Sequence, residues 1–471
     1  MKEEGSISRR DFLRLAGIAG ATIGAGAGMG GLLAACGEET VTTTMAGATT
    51  TAGATTTAGA TTTVSAAAEV GREVKVALVE PFTGPIAAFG VAGNYIVERW
   101  REAVGDGMVL GDSKKHPITI ITADSQSDAN RAAQVAGDLI QNTKVDVLMA
   151  AGTGDTVNSV SDQAEAMEQP CLTVDVPMES WVYGRGGKEE SVYKWTYNVW
   201  WGMYEMCQTT MDMWDQLPTN KKVGVMWPND FEGAAWRSYF PAPVEAAGYT
   251  IVDAGAFQDG TEDFSSMISL FKKEGCDICS TVMIPPDFAN FCKQAVQQGY
   301  LPKMMEGTKS CLFPQVVDSL GTLGDGIVGV QWYHPDLPFK SSLSGETVAE
   351  LLADFSKRME RQWEQPVMHY MNFEWVVDVL KRTTNLDDKE EIMQRTAETN
   401  MPMTVGGPID FTAPVKPKTR RPVHNVYVTE MFGGQWRLTN GGEHMYELWA
   451  VSNAYGPSFE VKEPIEPLAW G

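Results

Sequence analysis

Histidine is scarce in this chain of 471 residues. Only five occur, His116, His334, His369, His424 and His444, scattered without a metal-ligand or triad spacing. No His-Glu-x-x-His, no Gly-x-Ser-x-Gly elbow and no phosphate-loop lysine motif is present. That removes the common routes to zinc hydrolysis, acyl transfer and nucleotide hydrolysis. Neither a metal, a cofactor nor a catalytic residue is implied. Cysteine is sparse as well. Besides Cys36 there are Cys171, Cys207, Cys276, Cys279, Cys292 and Cys311, with no framework spacing that would require disulfides. Cys276-Asp277-Ile278-Cys279 is wrongly spaced for a redox or zinc pair and reads as buried thiols on a strand. Basic residues are outnumbered, 37 against 60 acidic, for a net charge of −23. So acidic a body repels nucleic acid and anionic lipid and is best read as a solvated, solubilising surface. After Cys36 no apolar run is long enough to cross a bilayer.

What is present starts at the N-terminus. Arg9 and Arg10, within Ser8-Arg9-Arg10-Asp11-Phe12-Leu13-Arg14, precede a glycine-rich apolar run ending in Leu33-Ala34-Ala35-Cys36. The pattern resembles a twin-arginine export signal closed by a lipobox. It assigns residues 1–36 to a signal peptide and Cys36 to lipidation. The alternative is a single anchoring helix over 15–35, long enough to span but weakly hydrophobic. Gly26-Ala27-Gly28-Met29-Gly30-Gly31 fits a dinucleotide fingerprint, but it follows no strand and lies in the signal. Residues 37–71 read as a tether, and 40–68 are almost entirely Thr, Ala and Gly with no charge. Nothing there offsets the entropy of ordering. A flexible linker of about 30 residues reaches roughly 30 Å.

The remaining chain, some 400 residues, is too long for one core and sufficient for two. Strands are expected at 73–80, 118–123, 145–150 and 171–174, alternating with helices at 91–104, 128–141 and 156–168. The alternation restarts after Trp195: helix 202–216, strand 222–227, helix 233–247, strand 249–254, helix 263–274, strand 277–283, helix 287–299. Two βαβα series predict two doubly wound, Rossmann-like α/β lobes with a cleft between them. A helical stretch at 345–398 and short strands over 405–438 suggest that the chain crosses back between the lobes.

Several segments, in order, resemble the periplasmic branched-chain amino acid binding proteins, the type I solute-binding proteins of ABC importers. They are Lys75-Val76-Ala77-Leu78-Val79 with Pro81-Phe82-Thr83-Gly84-Pro85 and Ala88-Phe89-Gly90; Asp124-Ser125-Gln126-Ser127-Asp128; and Gly260-Thr261-Glu262-Asp263-Phe264-Ser265-Ser266. Gly406-Gly407-Pro408-Ile409-Asp410-Phe411 and Gly433-Gly434-Gln435-Trp436 complete the set. The resemblance implies two lobes joined by three hinge crossovers. Lobe I would take 72–197 plus about 331–405, lobe II 198–330 plus about 406–450, and 451–471 a C-terminal tail.

Ligands of open α/β sheets sit beyond the carboxyl ends of strands. That points to the loop of Thr153, Gly154, Asp155 and Thr156, where backbone N–H groups and a helix dipole favour an anion, or where Asp155 and Thr156 merely cap their own helix. The resemblance places a ligand carboxylate here, with Gly154 in the position of the family's usual serine. Asp175 and Pro177 stand where the family has small polar residues. Asp175 meets a ligand ammonium or caps the next turn. Phe89 and Phe231 match the family's aromatic walls, and Trp201 faces either the cleft or the core. Ile284, beyond the strand at 277–283, joins the lining candidates. The family's acidic ammonium anchor falls near Gly307-Thr308-Lys309, where there is no acid; Lys309 would suit an anionic ligand. The expected protein is a monomeric, exported lipoprotein at the outer face of the cell membrane or in the periplasm. It would capture an amino acid, amide or carboxylate for an ABC permease, and touch the membrane only through its lipid. A sensing module and an exported hydrolase are the alternatives.

Overall fold

The structure, a computed structural model, describes residues 68–188, 190–413, 424–468 and 470. Arg9, Arg10 and Cys36 lie outside the described residues, as does nearly all of the expected tether. Its last residues are ordered into the body: Val70 bridges Lys115, and Lys114 pairs with Glu69 at 2.9 Å.

The first sheet has six parallel strands in the order Val426–Tyr427, Thr196–Val199, Cys171–Val174, Val147–Ala150, Val74–Glu80, Ile118–Asp124. Its interior strand Val74–Glu80, VKVALVE, is buried along nearly its whole length because helices cover both faces. The second sheet runs Tyr446–Ser452, Phe432–Leu438, Val328–Gln331, Met304–Gly307, Ile278–Thr281, Lys222–Met226, Thr250–Asp253. Its first two strands form a hairpin, of which Phe432–Leu438 runs antiparallel to the other six strands. Both sheets belong to one unit, residues 66–471. This is the type I periplasmic binding protein fold, with two α/β lobes.

The chain passes between the sheets three times: after Val199, after Gln331, and between Tyr427 and Phe432. The helices after the second passage return to lobe I. Phe355 of helix Val348–Met359 meets Tyr95 edge-on, and Phe373 of helix Tyr370–Arg382 stacks on Trp100 at 5.1 Å. Two boundaries differ from expectation. Val426–Tyr427 pairs with Asn198–Val199 and so extends the first sheet, although 406–450 was assigned to lobe II. The expected tail begins inside strand Tyr446–Ser452 and folds onto lobe II, where Gln216 accepts from Ile465 N–H at 3.1 Å. The expected helix over 233–247 is divided at Pro241, into Phe231–Tyr239 and Pro241–Ala246.

In each sheet the direction of winding reverses beside one strand: Val74–Glu80 in the first and Lys222–Met226 in the second. Reversal separates the neighbouring loops and opens a crevice at the carboxyl ends. The loops that follow these strands and their neighbours face the cleft between the lobes.

Candidate ligand site between the lobes

A cavity with about 320 Å³ of empty space lies between the lobes. From lobe I it is lined by Phe89, Asp175 and Pro177; from lobe II by Glu232, Trp236, Thr308 and Lys309. Trp200, Trp201 and Trp332 line it from the first and second crossovers. Apolar side chains of Met206, Val282 and Leu312 complete the wall.

The crossover tryptophans form one aromatic cluster. Trp332 meets Trp200 at 5.1 Å and 70°, and Trp201 at 5.8 Å and 40°. Their position follows from the strands that carry them: Thr196–Val199 and Val328–Gln331 end at the hinge, and the next residues turn into the cleft. All three indoles are buried, and none of their Nε1 atoms has a hydrogen-bond partner. Phe89 crosses from lobe I to meet Phe313 of lobe II edge-on, ring centroids 5.0 Å apart.

Two buried charge clusters flank this cavity. In lobe I, His369 donates from Nδ1 to Glu80 at 3.0 Å and lies 3.0 Å from Asp175 through Nε2. Burial works against the imidazolium, but Asp175 and Glu80 outweigh it and push the His369 pKa up to about 9. Burial also pushes Asp175 up to about 6, against the opposing pull of His369. Asp175 is held in the left-handed region at φ 67° and receives a backbone hydrogen bond from Gly152. In lobe II, Lys309 lies 3.0 Å from Asp230 and 2.7 Å from Glu232. Burial opposes the Lys309 ammonium, yet Glu232 and Asp230 prevail and raise its pKa. Burial pushes Glu232 up to about 7, with Lys309 holding it back.

Of the residues expected from sequence, Phe89, Asp175, Pro177, Trp201 and Lys309 line the cavity together. The placement of the others needs correction. Gly154 begins the helix Gly154–Ala166, and Thr153, Gly154, Asp155 and Thr156 do not line the cavity. Thr156 Oγ1 donates to Thr153 O at 3.3 Å, and the Gly152 amide serves Asp175. Phe231 is 38% exposed and lies against Gly184 of lobe I, in a separate groove beside Tyr183 and Tyr239. The helix rotation sends Trp236 to the cavity instead. Ile284 is buried as the N-terminal cap residue of helix Pro285–Gln297, and Val282 takes the lining position. Lys309 is not a free cation, because Asp230 and Glu232 already occupy it.

Sequence reasoning missed Trp332, Trp236, Glu232 and the pair of Glu80 and His369. An aromatic directly after a strand at a crossover was the available signal for Trp332. His369 carried none, because its partners are remote in sequence: Glu80 lies 289 positions away, and Asp175 precedes it by nearly two hundred.

A family model described as "Periplasmic binding protein" matches residues 73–435. No relative was found among curated protein sequences. Among solved structures, a leucine binding protein from Thermotoga maritima is similar with a TM-score of 0.65 and 18% identity, over 81% of this chain and 99% of that one. A substrate binding protein from Streptococcus pneumoniae, in complex with isoleucine, has a TM-score of 0.60 and 16% identity, over 80% and 99%. A solute binding protein from Rhodopseudomonas palustris, in complex with 3,4-dihydroxybenzoic acid, has a TM-score of 0.63 and 18% identity, over 82% and 99%.

Proposed function

Because the chain belongs to the periplasmic binding protein family, we propose that it is an exported, lipid-anchored solute receptor that hands a small organic molecule to an ABC importer. The observation that carries this is the cavity itself. Both lobes and the first two crossovers contribute side chains to it, so an occupant is contacted fully only when the lobes are closed. Ligand then stabilises closure through contacts that the open form lacks.

The signal and tether fit this role. Acylated Cys36 would hold the body at the membrane, and a linker of about 30 residues would let it reach a permease roughly 30 Å away. No helix among the described residues is long and apolar enough to cross a membrane. The test is a thermal-shift screen of the purified chain against amino acids, amides, amines and aromatic acids. A ligand at 100 times its dissociation constant adds about 2.7 kcal/mol, a shift of a few degrees. Recovery of the hit as a chemically altered product would refute the receptor reading.

A further inference from the structure

The charge inventory of the cleft is lopsided. His369 is outnumbered by Glu80 and Asp175, and Lys309 by Asp230 and Glu232. Asp155, Asp259 and Asp287 add further negative potential around Lys309. Among the described residues no other cation lines the cavity. A ligand carboxylate entering here meets an excess of negative charge from both lobes and no unpaired ammonium or guanidinium to receive it. Asp175 lines the cavity directly and is 4% exposed.

The remaining wall is aromatic. Trp200, Trp201, Trp332, Trp236 and Phe89 all line the same space. Ring faces carry negative quadrupole density and attract a cation, more strongly when the site is desolvated. The unpartnered Nε1–H groups of Trp200, Trp201 and Trp332 are donors, suited to a hydroxyl or carbonyl oxygen on the same molecule. The space between these rings is narrow, which restricts the occupant to a compact molecule.

We propose that this cavity takes a compact organic cation, an alkyl- or methyl-substituted ammonium compound, with its charge recognised by Asp175 and the surrounding indole faces. The proposal rests on the solute-receptor reading and narrows its ligand class. It replaces the expectation that Lys309 favours an anion.

The decisive experiment compares two molecules of the same shape. Full-length protein in detergent is titrated, by calorimetry and tryptophan fluorescence, with (2-hydroxyethyl)trimethylammonium and with its uncharged carbon isostere 3,3-dimethylbutan-1-ol. Butylamine, leucine and 4-hydroxybenzoate are run beside them. The expected result is binding of the ammonium compounds, at least about tenfold tighter than the isosteric alcohol. Asp175→Asn and Trp332→Leu, each checked for folding by near-UV circular dichroism, should each weaken the cation about tenfold or more. Equal binding of cation and alcohol overturns the proposal, because recognition would then rest on shape. Binding of leucine or 4-hydroxybenzoate without the cations also overturns it, while leaving the receptor reading intact. If none of the five binds, the ammonium proposal is rejected, and the broader screen decides the receptor reading separately.

Discussion

His369 Nε2 lies 3.0 Å from Asp175 Oδ2, and this ion pair joins the segment after the second crossover to the loop that lines the cleft. Glu80, at the end of the first strand, holds the other face of the imidazole at 3.0 Å. A site loop, a hinge-side segment and the first strand of lobe I are thereby fastened through one ring. Asp175 depends on that fastening, since it sits in a left-handed backbone conformation that a non-glycine residue adopts at a cost.

The first prediction concerns alkaline pH. The His369 pKa is raised from its ordinary value of 6.5 to about 9. Its stabilisation is therefore fully present below about 6.5 and is lost as pH rises through about 9. Urea denaturation should show a loss on the order of 3 kcal/mol between about pH 7 and pH 10. Asp175 titrates lower, near 6, and does not contribute to that limb. His369→Gln should start less stable and lack most of the alkaline loss. An unchanged limb in the variant would show that other groups produce it.

Lys309 provides a second test. Replacing it by Met leaves Asp230 and Glu232 facing each other in a buried site. The expected cost is about 3–5 kcal/mol, because the uncompensated charges lose their partner. Adding Glu232→Gln to Lys309→Met should recover part of that loss. A Lys309→Met protein of wild-type stability would mean that water reaches the cluster and screens it.

A third comparison separates the cavity from the groove beside it. Trp332→Ala should abolish the thermal shift given by any ligand of the chain and cost about 3–5 kcal/mol in stability. Phe231→Ala, at a residue 38% exposed and outside the cavity, should retain most of the ligand-induced shift. The reverse pattern would move the binding site to the groove of Tyr183 and Tyr239.

The fourth concerns the anchor. Cys36→Ser should move the protein from the membrane pellet to the soluble extracytoplasmic fraction while leaving ligand binding unchanged. Continued sedimentation with membranes would favour the uncleaved anchoring helix over lipidation.

Much of the fold was legible because its signals are local. Val76-Ala77-Leu78-Val79 within Val74–Glu80 is an apolar run, and later strands such as Val147–Ala150 and Lys222–Met226 are similarly apolar between amphipathic helices. The hinge-side strand Val426–Tyr427 was not legible. Two residues carry no periodicity, and their pairing with Asn198–Val199 is set by the third crossover. The site shows the same division. Asp175, Pro177, Trp201 and Lys309 follow directly on strand ends and Phe89 stands in the loop region beyond the first strand, so all could be named. Phe231 and Trp236 share one short helix, and only its rotation decides which of them enters the cavity.

By itself, the sequence determined the order of strands and helices, the acidic balance, the two-lobed class, and the candidate export and lipid signals. Each depends on neighbouring residues or on a simple sum along the chain. Tertiary structure decided the electrostatic sign of the cleft. Lys309 read alone is a free cation; folded, it is matched by two carboxylates at the start of helix Phe231–Tyr239. His369 read alone is a stray histidine; folded, it is bound by Glu80 and Asp175 from remote strand ends. Charge in a buried site is a property of the group and its partners together, and those partners meet only when the lobes are built.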